Sequence, residues 1–336
     1  MKHIGIIGAG SWGTALAVNL ARNGHRVTMW SIMEDEIKML KEHHEHLDKL
    51  PRVKLADSIQ FTVDMEEAIK GKDMLVLAVP SIFTRSTAKA MAPFVADGQI
   101  VVCVAKGIED GTLMTISQVV EDEIPNADVC VLCGPSHAEE VGIGLPTLVV
   151  AGAKSKKSAE LIQDTFMNQT FRVYTTPDIL GMELGGSLKN VIALAAGMAD
   201  GLGYGDNTKA ALITRGITEV GRLAVAMGAK QETLNGLAGI GDLIVTCQSQ
   251  HSRNRKAGML MGQGMTMDEA TKEVKMVVEG VHSAKAALGL ARKYYVNMPI
   301  IEEVNKVLFE NKTVKEALVD LMIRDKRTEH TNLEWD

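Results

Sequence analysis

The first half of the chain alternates between short apolar runs and stretches with helical periodicity. Short apolar runs that are bounded by turn-forming residues are typical of buried strands. Residues 81–94 and 156–167 instead repeat their apolar positions every three to four residues, as amphipathic helices do. This alternation predicts a mainly parallel sheet with helices on both faces. The predicted strands occupy residues 3–7, 26–30, 58–62, 74–79, 100–105, 129–133, 147–151 and 171–175.

From about residue 178 the pattern becomes helical and stays so almost to the end of the chain. No alternating run of convincing length interrupts it, so the second half is predicted to be all-α. A chain of 336 residues is too long for one ordinary core, which favours two domains. The predicted helices occupy residues 188–199, 208–227, 233–237, 254–261, 266–272, 281–294, 300–309 and 313–323.

A glycine-rich segment joins the first predicted strand to a predicted helix. Gly8, Gly10 and Gly13 form the pattern GxGxxG there. Gly8 permits a tight turn, Gly10 lets a pyrophosphate approach the backbone, and Gly13 lets the helix pack on the strand. The phosphates would meet the N–H groups at the positive end of that helix. We therefore predict an α/β protein with an N-terminal Rossmann-like, dinucleotide-binding domain (residues 1–178) and an all-α substrate-binding and catalytic domain (residues 179–336).

The residues after the second strand of such a domain normally select the cofactor. An acidic residue there binds the ribose 2′-hydroxyl of NAD, whereas an arginine accommodates the 2′-phosphate of NADP. Here the strand is followed by Ser31, Ile32 and Met33, and acidic residues come only at Glu34 and Asp35. The sequence therefore leaves the choice between NAD and NADP open.

Bulk composition argues against several functional classes. Apolar residues make up 46% of the chain and charged residues 23%, as in soluble globular proteins. The net charge of −6 argues against a general affinity for nucleic acid. The apolar run at residues 4–7 is too short for a signal sequence, and no continuous run of about 18 apolar residues predicts a membrane span. We expect a cytoplasmic protein without membrane insertion.

Two segments contain residue types that bind metals, but neither predicts a metal site. Cys130 and Cys133 form CxxC inside an apolar run without a second pair, which favours buried reduced thiols. His43, His44 and His46 lie among lysine and glutamate residues, which favours the solvated face of a helix. We expect no bound metal.

Polar residues follow several predicted strands, where ligands of parallel sheets bind. Lys106 precedes a glycine and can reach over the sheet edge, although a surface lysine is the alternative. Gly134 and Ser136 offer a backbone nest and a hydroxyl to an anionic or polyhydroxy ligand. His137 is an acid–base candidate without a visible partner, so we interpret it as a loop histidine.

Three polar features stand out in the helical half. Lys189 follows small residues and precedes an apolar segment, so it either snorkels at a helix start or points into a cleft between domains. Asp242 follows two glycines. Residues 249–255 gather hydroxyl, amide and guanidinium groups before a helix, which suits either a phosphate or a capped helix on a basic loop. Lys106 and Lys189 favour the phosphate.

A series of motifs runs in order along nearly the whole chain: GAGSWGTALA at 8–17, AKGIE at 105–109, GPSHAEE at 134–140, GGSLKNVIA at 185–193, GDNTKAALITRG at 205–216, GIGDLIVTC at 239–247, SRNR at 252–255 and VVEG at 277–280. In these motifs the chain resembles the bacterial, soluble NAD(P)-dependent glycerol-3-phosphate dehydrogenases. The resemblance implies that NAD(P)H reduces dihydroxyacetone phosphate reversibly to sn-glycerol 3-phosphate. It also implies a role in supplying glycerol 3-phosphate for phospholipid synthesis.

The resemblance assigns a role to each polar feature. It implies that Lys189 is the catalytic lysine, an acid in reduction and a base in the reverse direction. The implied substrate site consists of Lys106, Gly134, Ser136, Lys189, Asp242, Ser252, Arg253 and Asn254. Besides Gly8, Gly10 and Gly13, the cofactor would contact Ser11, Trp12, Lys106, Ala138, Arg253, Val277 and Glu279. A homodimer is the assembly that helical second domains of this group favour.

One position departs from the family pattern. Many members carry histidine or arginine where this chain has Ile32, and that cation can reach the 2′-phosphate of NADPH; Lys49 is a substitute candidate. Two rival interpretations are a β-hydroxyacid or 6-phosphogluconate-like dehydrogenase and a non-catalytic NAD(H) sensor. The first does not account for SRNR together with GIGDL, and the second does not need Lys189, Asp242 and Arg253 together.

Overall fold

In the computed structural model, which describes residues 1–326, 328 and 329, the first half of the chain forms one eight-stranded sheet and a small hairpin. The strands are β1 (His3–Ile7), β2 (Arg26–Trp30), β3 (Glu45–His46), β4 (Leu50–Lys54), β5 (Gln60–Thr62), β6 (Met74–Leu77), β7 (Ile100–Cys103), β8 (Asp128–Cys133), β9 (Thr147–Gly152) and β10 (Phe171–Thr176). The order in the large sheet is β10-β9-β8-β7-β6-β1-β2-β5. All neighbours are parallel except β8 and β9. The predicted mainly parallel sheet is confirmed.

Helices surround this sheet and then make up the second half of the chain. They are α1 (Ser11–Arg22), α2 (Glu34–His43), α3 (Met65–Ile69), α4 (Thr84–Met91), α5 (Ile116–Glu123), α6 (Ala138–Ile143), α7 (Lys156–Phe166), α8 (Ile179–Gly201), α9 (Asp206–Ala226), α10 (Gln231–Leu234), α11 (Asp242–Gln248), α12 (Arg253–Gly262), α13 (Met267–Val274), α14 (Glu279–Lys293), α15 (Pro299–Phe309) and α16 (Val314–Met322). A 3₁₀ turn (Ser81–Phe83) precedes α4, and a π-helical segment (Leu237–Gly241) precedes α11. The predicted all-α second half is confirmed.

The hairpin β3–β4 replaces the solvated helix face that the three histidines predicted. Helix α2 ends at His43 because His44 adopts the left-handed conformation, with φ 46°. His46 lies in β3, is only 1% exposed, and its Nε2 is 2.9 Å from Oε1 of Glu36. For His46 the sequence interpretation is therefore wrong.

Helix α8 is the central helix of the second half and packs against α9, α11, α12, α14 and α15. It begins nine residues before the predicted helix (188 − 179 = 9). Gly185 and Gly186 lie inside it because a neighbouring chain segment passes close by. A Cβ on Gly185 would lie 2.5 Å from the carbonyl oxygen of Ala238, and one on Gly186 would lie 2.7 Å from Sγ of Cys133.

One helix in the described part of the chain, α8, has the length and apolar composition of a membrane span. The sequence criterion of an unbroken apolar run did not identify it. In its most apolar window of 18 residues, 94% of the residues are buried inside the protein. Its apolar surface is therefore already covered by the protein's own helices.

Helix α12 lies unusually close to α8. A Cβ on Gly197 would lie 2.1 Å from the carbonyl oxygen of Arg255, and one on Gly258 would lie 2.1 Å from that of Leu194. Since glycine has no Cβ, the two backbones can touch. This contact brings the N-terminus of α12 beside the middle of α8, where Lys189 lies.

Candidate active site

A cleft of about 960 Å³ extends from the glycine-rich turn after β1 to the N-termini of α12 and α14. Most of the predicted site residues line it: Gly8, Gly10, Ser11, Trp12, Lys106, Ser136, Ala138, Lys189, Ser252, Arg253, Asn254, Val277 and Glu279. Three others, Gly13, Gly134 and Asp242, are not among the residues that line it. The fold thus brings the predicted cofactor and substrate residues to one place.

The three glycines of GxGxxG occupy three different environments. Gly8 has φ +116°, and a Cβ there would lie 2.8 Å from the backbone of Ala78. A Cβ on Gly13 would lie 2.1 Å from the carbonyl oxygen of Gly8, so any side chain there would separate helix from strand. A Cβ on Gly10 would meet no described atom within 4 Å. Gly10 therefore leaves room for a ligand at the N-terminus of α1.

Two lysines converge on one buried carboxylate at the other end of the cleft. Lys189 Nζ donates to Oδ1 of Asp242 at 2.5 Å, and Lys106 Nζ donates to Oδ2 at 2.6 Å. Asp242 is 1% exposed and Lys189 is 6% exposed. Lys106 also donates to the carbonyl oxygen of Gly134 at 3.0 Å, as does the hydroxyl of Ser136.

Thr246 is a further member of this cluster that the sequence analysis missed. Lys189 Nζ donates to its Oγ1 at 2.6 Å, and Oγ1 donates to the carbonyl oxygen of Asp242 at 2.6 Å. The spacing of four residues within GIGDLIVTC was the available signal, because it places both residues on one face of a helix. An ammonium group has three donors, so these bonds leave one N–H of Lys189 for the cleft.

The charges in this cluster perturb one another. Burial and the positive charge of Lys106 lower the pKa of Lys189 to about 8, although Asp242 opposes them. Burial acts to lower the pKa of Lys106 as well, but the charge and the hydrogen bond of Asp242, together with smaller contributions, raise that pKa. Burial acts to raise the pKa of Asp242, and the two lysines nevertheless lower it. Of these three groups, Lys189 is thus the one whose pKa is brought close to neutral pH.

The start of α12 has the features of an anion site. Ser252 caps the helix by accepting a hydrogen bond from the backbone N–H of Arg255 at 3.2 Å. Asn254 donates to Oδ1 of Asn190 at 3.0 Å and accepts from the N–H of Gly280 at 2.8 Å, so it is held rigidly. Arg253 is exposed and lines the cleft. Helix α12 is thus capped at Ser252, and its N-terminus faces the cleft. The phosphate site that the sequence analysis favoured stays a prediction.

Glu279 joins the two halves of the protein across the cleft. Its Oε1 accepts from the backbone N–H of Ser81 at 3.0 Å, and its Oε2 accepts from the Ser81 hydroxyl. Ser81 follows β6 and Glu279 begins α14, so the contact ties the sheet edge to the helical half.

The first turn of α2, which follows β2, holds an acidic residue that the sequence analysis overlooked. Glu36 lines the cleft, and it accepts hydrogen bonds from Ser31 at 2.5 Å and from Lys49. Burial acts to raise its pKa, but the bonds to His46, Lys49 and Ser31 lower that pKa to about 2. Ile32 is 80% exposed beside it. Lys49 is thus paired with Glu36, and its contact with a 2′-phosphate stays a prediction.

All four cysteines are buried free thiols, as expected for Cys130 and Cys133. In the described residues, no group of three or more His, Cys, Asp or Glu side chains is arranged to hold a metal ion. Sγ of Cys133 lies 3.8 Å from Oδ2 of Asp242.

Comparison with known proteins identifies the family. Residues 3–159 match the description "NAD-dependent glycerol-3-phosphate dehydrogenase N-terminus", and residues 178–319 match the corresponding C-terminus. The chain belongs to this dehydrogenase family. It is similar to the glycerol-3-phosphate dehydrogenase [NAD(P)+] of Agathobacter rectalis, with 75% identity over 335 residues and all of both chains covered. The Bacillus subtilis protein of the same name is 51% identical, with 99% of this chain and 97% of that protein covered.

A solved structure supports the same assignment. The glycerol-3-phosphate dehydrogenase of Coxiella burnetii superimposes with a TM-score of 0.93 at 36% sequence identity, with 96% of this chain and 99% of that chain covered. The superposition covers nearly the whole chain of this family member, so the fold that holds the glycine-rich turn and the lysine cluster is shared with that relative. The rival dehydrogenase and sensor interpretations are set aside.

Proposed function

We propose that this family member reduces dihydroxyacetone phosphate to sn-glycerol 3-phosphate with NAD(P)H, with Lys189 as the general acid. The observation that carries the proposal is the Lys189–Asp242–Lys106 cluster, which lies in the same cleft as the GxGxxG turn. The reaction is reversible, and it supplies glycerol 3-phosphate for phospholipid synthesis. The cleft has the backbone donors and the open space at Gly10 that a dinucleotide needs.

Lys189 is placed to manage the proton of the reaction. When bound, the nicotinamide supplies a hydride to the C2 carbonyl of the substrate. Negative charge then develops on the carbonyl oxygen, and a donor beside that oxygen stabilises it. The third N–H of Lys189 faces the cleft, and a pKa of about 8 keeps the proton both present and transferable at neutral pH.

Lys106 and Asp242 act on the catalytic lysine. Lys106 adds a like charge, which disfavours the charged form of Lys189 and eases proton transfer. Asp242 holds both ammonium groups, and Thr246 fixes the direction of Lys189. Because the carboxylate is buried, neither lysine can turn away without leaving a charge unpaired.

The phosphate group, at the far end of the substrate from the carbonyl, orients the substrate in the cleft. We assign the phosphate to Ser252, Arg253 and Asn254 at the start of α12, where backbone N–H groups, the helix dipole and a guanidinium favour a dianion. Gly134 and Ser136 complete the substrate site. The cofactor contacts stay those of the sequence analysis: Gly8, Gly10, Ser11, Trp12, Gly13, Lys106, Ala138, Arg253, Val277 and Glu279. Binding the phosphate restricts the carbonyl to a reactive position.

The first experiment follows NADH and NADPH absorbance in parallel after dihydroxyacetone phosphate is added. We expect oxidation of at least one cofactor, and the ratio of the two kcat/KM values decides the effect of Ile32 and Lys49. Lys189→Met should lower kcat by about 10²- to 10⁴-fold while NADH binding is kept. A folded Lys189→Met protein with near-normal turnover would refute the proposed role.

Three further features complete the proposal. Residues 1–178 form the cofactor-binding domain and residues 179–336 the catalytic domain; β10 ends at Thr176 and α8 begins at Ile179, in support of this boundary. The chain works in the cytoplasm, and its helical half mediates a homodimer. Sedimentation equilibrium measures the assembly, and a monomer at micromolar concentration would contradict the dimer.

A further inference from the structure

His137 lies in the cleft with a buried ring nitrogen that forms no bond. It precedes α6 and lines the cleft between Ser136 and Ala138. Its Nε2 is shielded from solvent and has no hydrogen-bond partner among the residues that the structure describes. A buried unpaired polar atom is costly, and native proteins satisfy most such atoms with a partner or a ligand. The interpretation of His137 as a plain loop histidine leaves this atom unexplained.

His137 lies close to the segment that precedes α12. Its ring centroid is 5.8 Å from that of His251, which directly precedes the Ser252–Asn254 segment. The charged groups that act on it come from several elements, namely Lys189 on α8, Lys106 after β7, Asp242 on α11 and Glu139 on α6. Burial and then the charge of Lys189 lower its pKa, so the imidazole is neutral at pH 7. A neutral ring in the Nε2–H tautomer has one donor to offer there.

We propose that His137 is a substrate-binding residue whose Nε2–H donates a hydrogen bond to the phosphate of the phosphorylated substrate. This inference rests on the proposed function for the identity of the substrate, but only on the anion chemistry for the contact. A phosphate dianion accepts hydrogen bonds and cannot donate, which matches a ring nitrogen that needs an acceptor. The proximity of His251, beside the start of α12, favours the phosphate over the C2 carbonyl at Lys189.

The test compares His137→Leu, which removes the donor, with His137→Gln, which keeps an N–H near the ε position. KM for dihydroxyacetone phosphate should rise about 10- to 100-fold in His137→Leu, with KM for NADH unchanged, because a bond to a charged acceptor is lost. His137→Gln should recover most of this loss. His282→Leu, an exposed histidine that does not line the cleft, serves as the control.

Inorganic phosphate isolates the contact from the rest of the substrate. Its inhibition constant against dihydroxyacetone phosphate should rise in His137→Leu by the same factor as KM. A rise in KM without a change in this inhibition constant would place His137 at the carbonyl or a hydroxyl and overturn the proposal. Unchanged values of both would overturn it as well.

A measurement without turnover separates this inference from the proposed function. Calorimetric titration of the NADH-saturated protein with inorganic phosphate should show weaker binding to His137→Leu than to the wild type and to His282→Leu. If the wild type fails to reduce dihydroxyacetone phosphate, the proposed function fails while this titration still tests His137. Equal phosphate affinity in all three proteins would refute the contact.

Discussion

The pH dependence of the reduction tests the electrostatics of the Lys189 cluster directly. Burial and Lys106 lower the pKa of Lys189 to about 8, from an ordinary value of 10.5. Relative to a lysine in water, this lowering favours the neutral amine over the ammonium by about 3 kcal/mol. If Lys189 is the acid, kcat/KM for reduction depends on its protonated fraction in the free enzyme.

The magnitudes follow from this pKa. At pH 7 about ten lysines are protonated for each neutral one, and at pH 9 the ratio is reversed. We therefore expect kcat/KM for dihydroxyacetone phosphate to be level near pH 7 and to fall about tenfold per pH unit above pH 8. Oxidation of glycerol 3-phosphate needs the neutral amine, so its kcat/KM should rise up to about pH 8 and then level off.

A variant identifies the group that titrates. Lys106→Met removes the like charge, so the midpoint of both profiles should move to higher pH, whatever happens to the absolute rates. The assay is initial-rate NADH absorbance from pH 6.5 to 10, with circular dichroism as the control for folding. A reduction profile that stays level to pH 9.5, or a midpoint that moves to lower pH in Lys106→Met, would refute the reasoning.

Changes at four other residues test neighbouring parts of the site. Thr246→Val should lower kcat about 10- to 100-fold, because Lys189 loses the acceptor that orients it, and Thr246→Ser should restore the rate in the same assay. Gly10→Ala should raise the dissociation constant for NADH at an unchanged melting temperature, whereas Gly13→Ala should lower the melting temperature, because only the second Cβ meets protein atoms. Glu36→Gln should lower the free energy of unfolding by about 2–3 kcal/mol at pH 7, as urea titration measures it. The folded-state pKa of Glu36 lies near 2, below its ordinary value of 4.5, so this stabilisation is complete above pH 4.5 and is lost as the pH falls through 2.

Local signals in the sequence were sufficient to predict the strands of the large sheet. Parallel strands that are covered on both faces are continuous apolar runs, as β6 and β7 are. The edge strands β5 and β10 are only partly apolar, but the turn-forming residues around them were enough to predict them. The hairpin β3–β4 escaped prediction because it is short and polar outside, with only His46, Leu50 and Val53 buried. The burial of His46 depends on its contact with Glu36, and sequence periodicity cannot reveal that partner.

The helical half shows a different limit. Gly185 and Gly186 have a low helix propensity, so the sequence analysis did not predict the first two turns of α8. Tertiary contacts require glycine in this part of the helix, because the backbone at Ala238 and Sγ of Cys133 occupy the space that a Cβ would need. The same approach of the π-helical segment carries Asp242 to Lys189, which lies 53 residues earlier. No pattern of spacing predicts that ion pair.

The charge of the cluster explains why two lysines share one carboxylate. One carboxylate and two ammonium groups leave a net charge of about +1 in a largely buried cluster, which is unfavourable in the free enzyme. A single lysine paired with Asp242 would be neutral and better solvated, but its proton would be held more firmly. The excess positive charge lowers the pKa of Lys189, and it would stabilise negative charge that develops on an oxygen beside the lysine. With Lys189 in the role proposed above, the arrangement would stabilise the charge of the transition state more than that of the ground state, which is the condition for a faster reaction rather than only tighter binding.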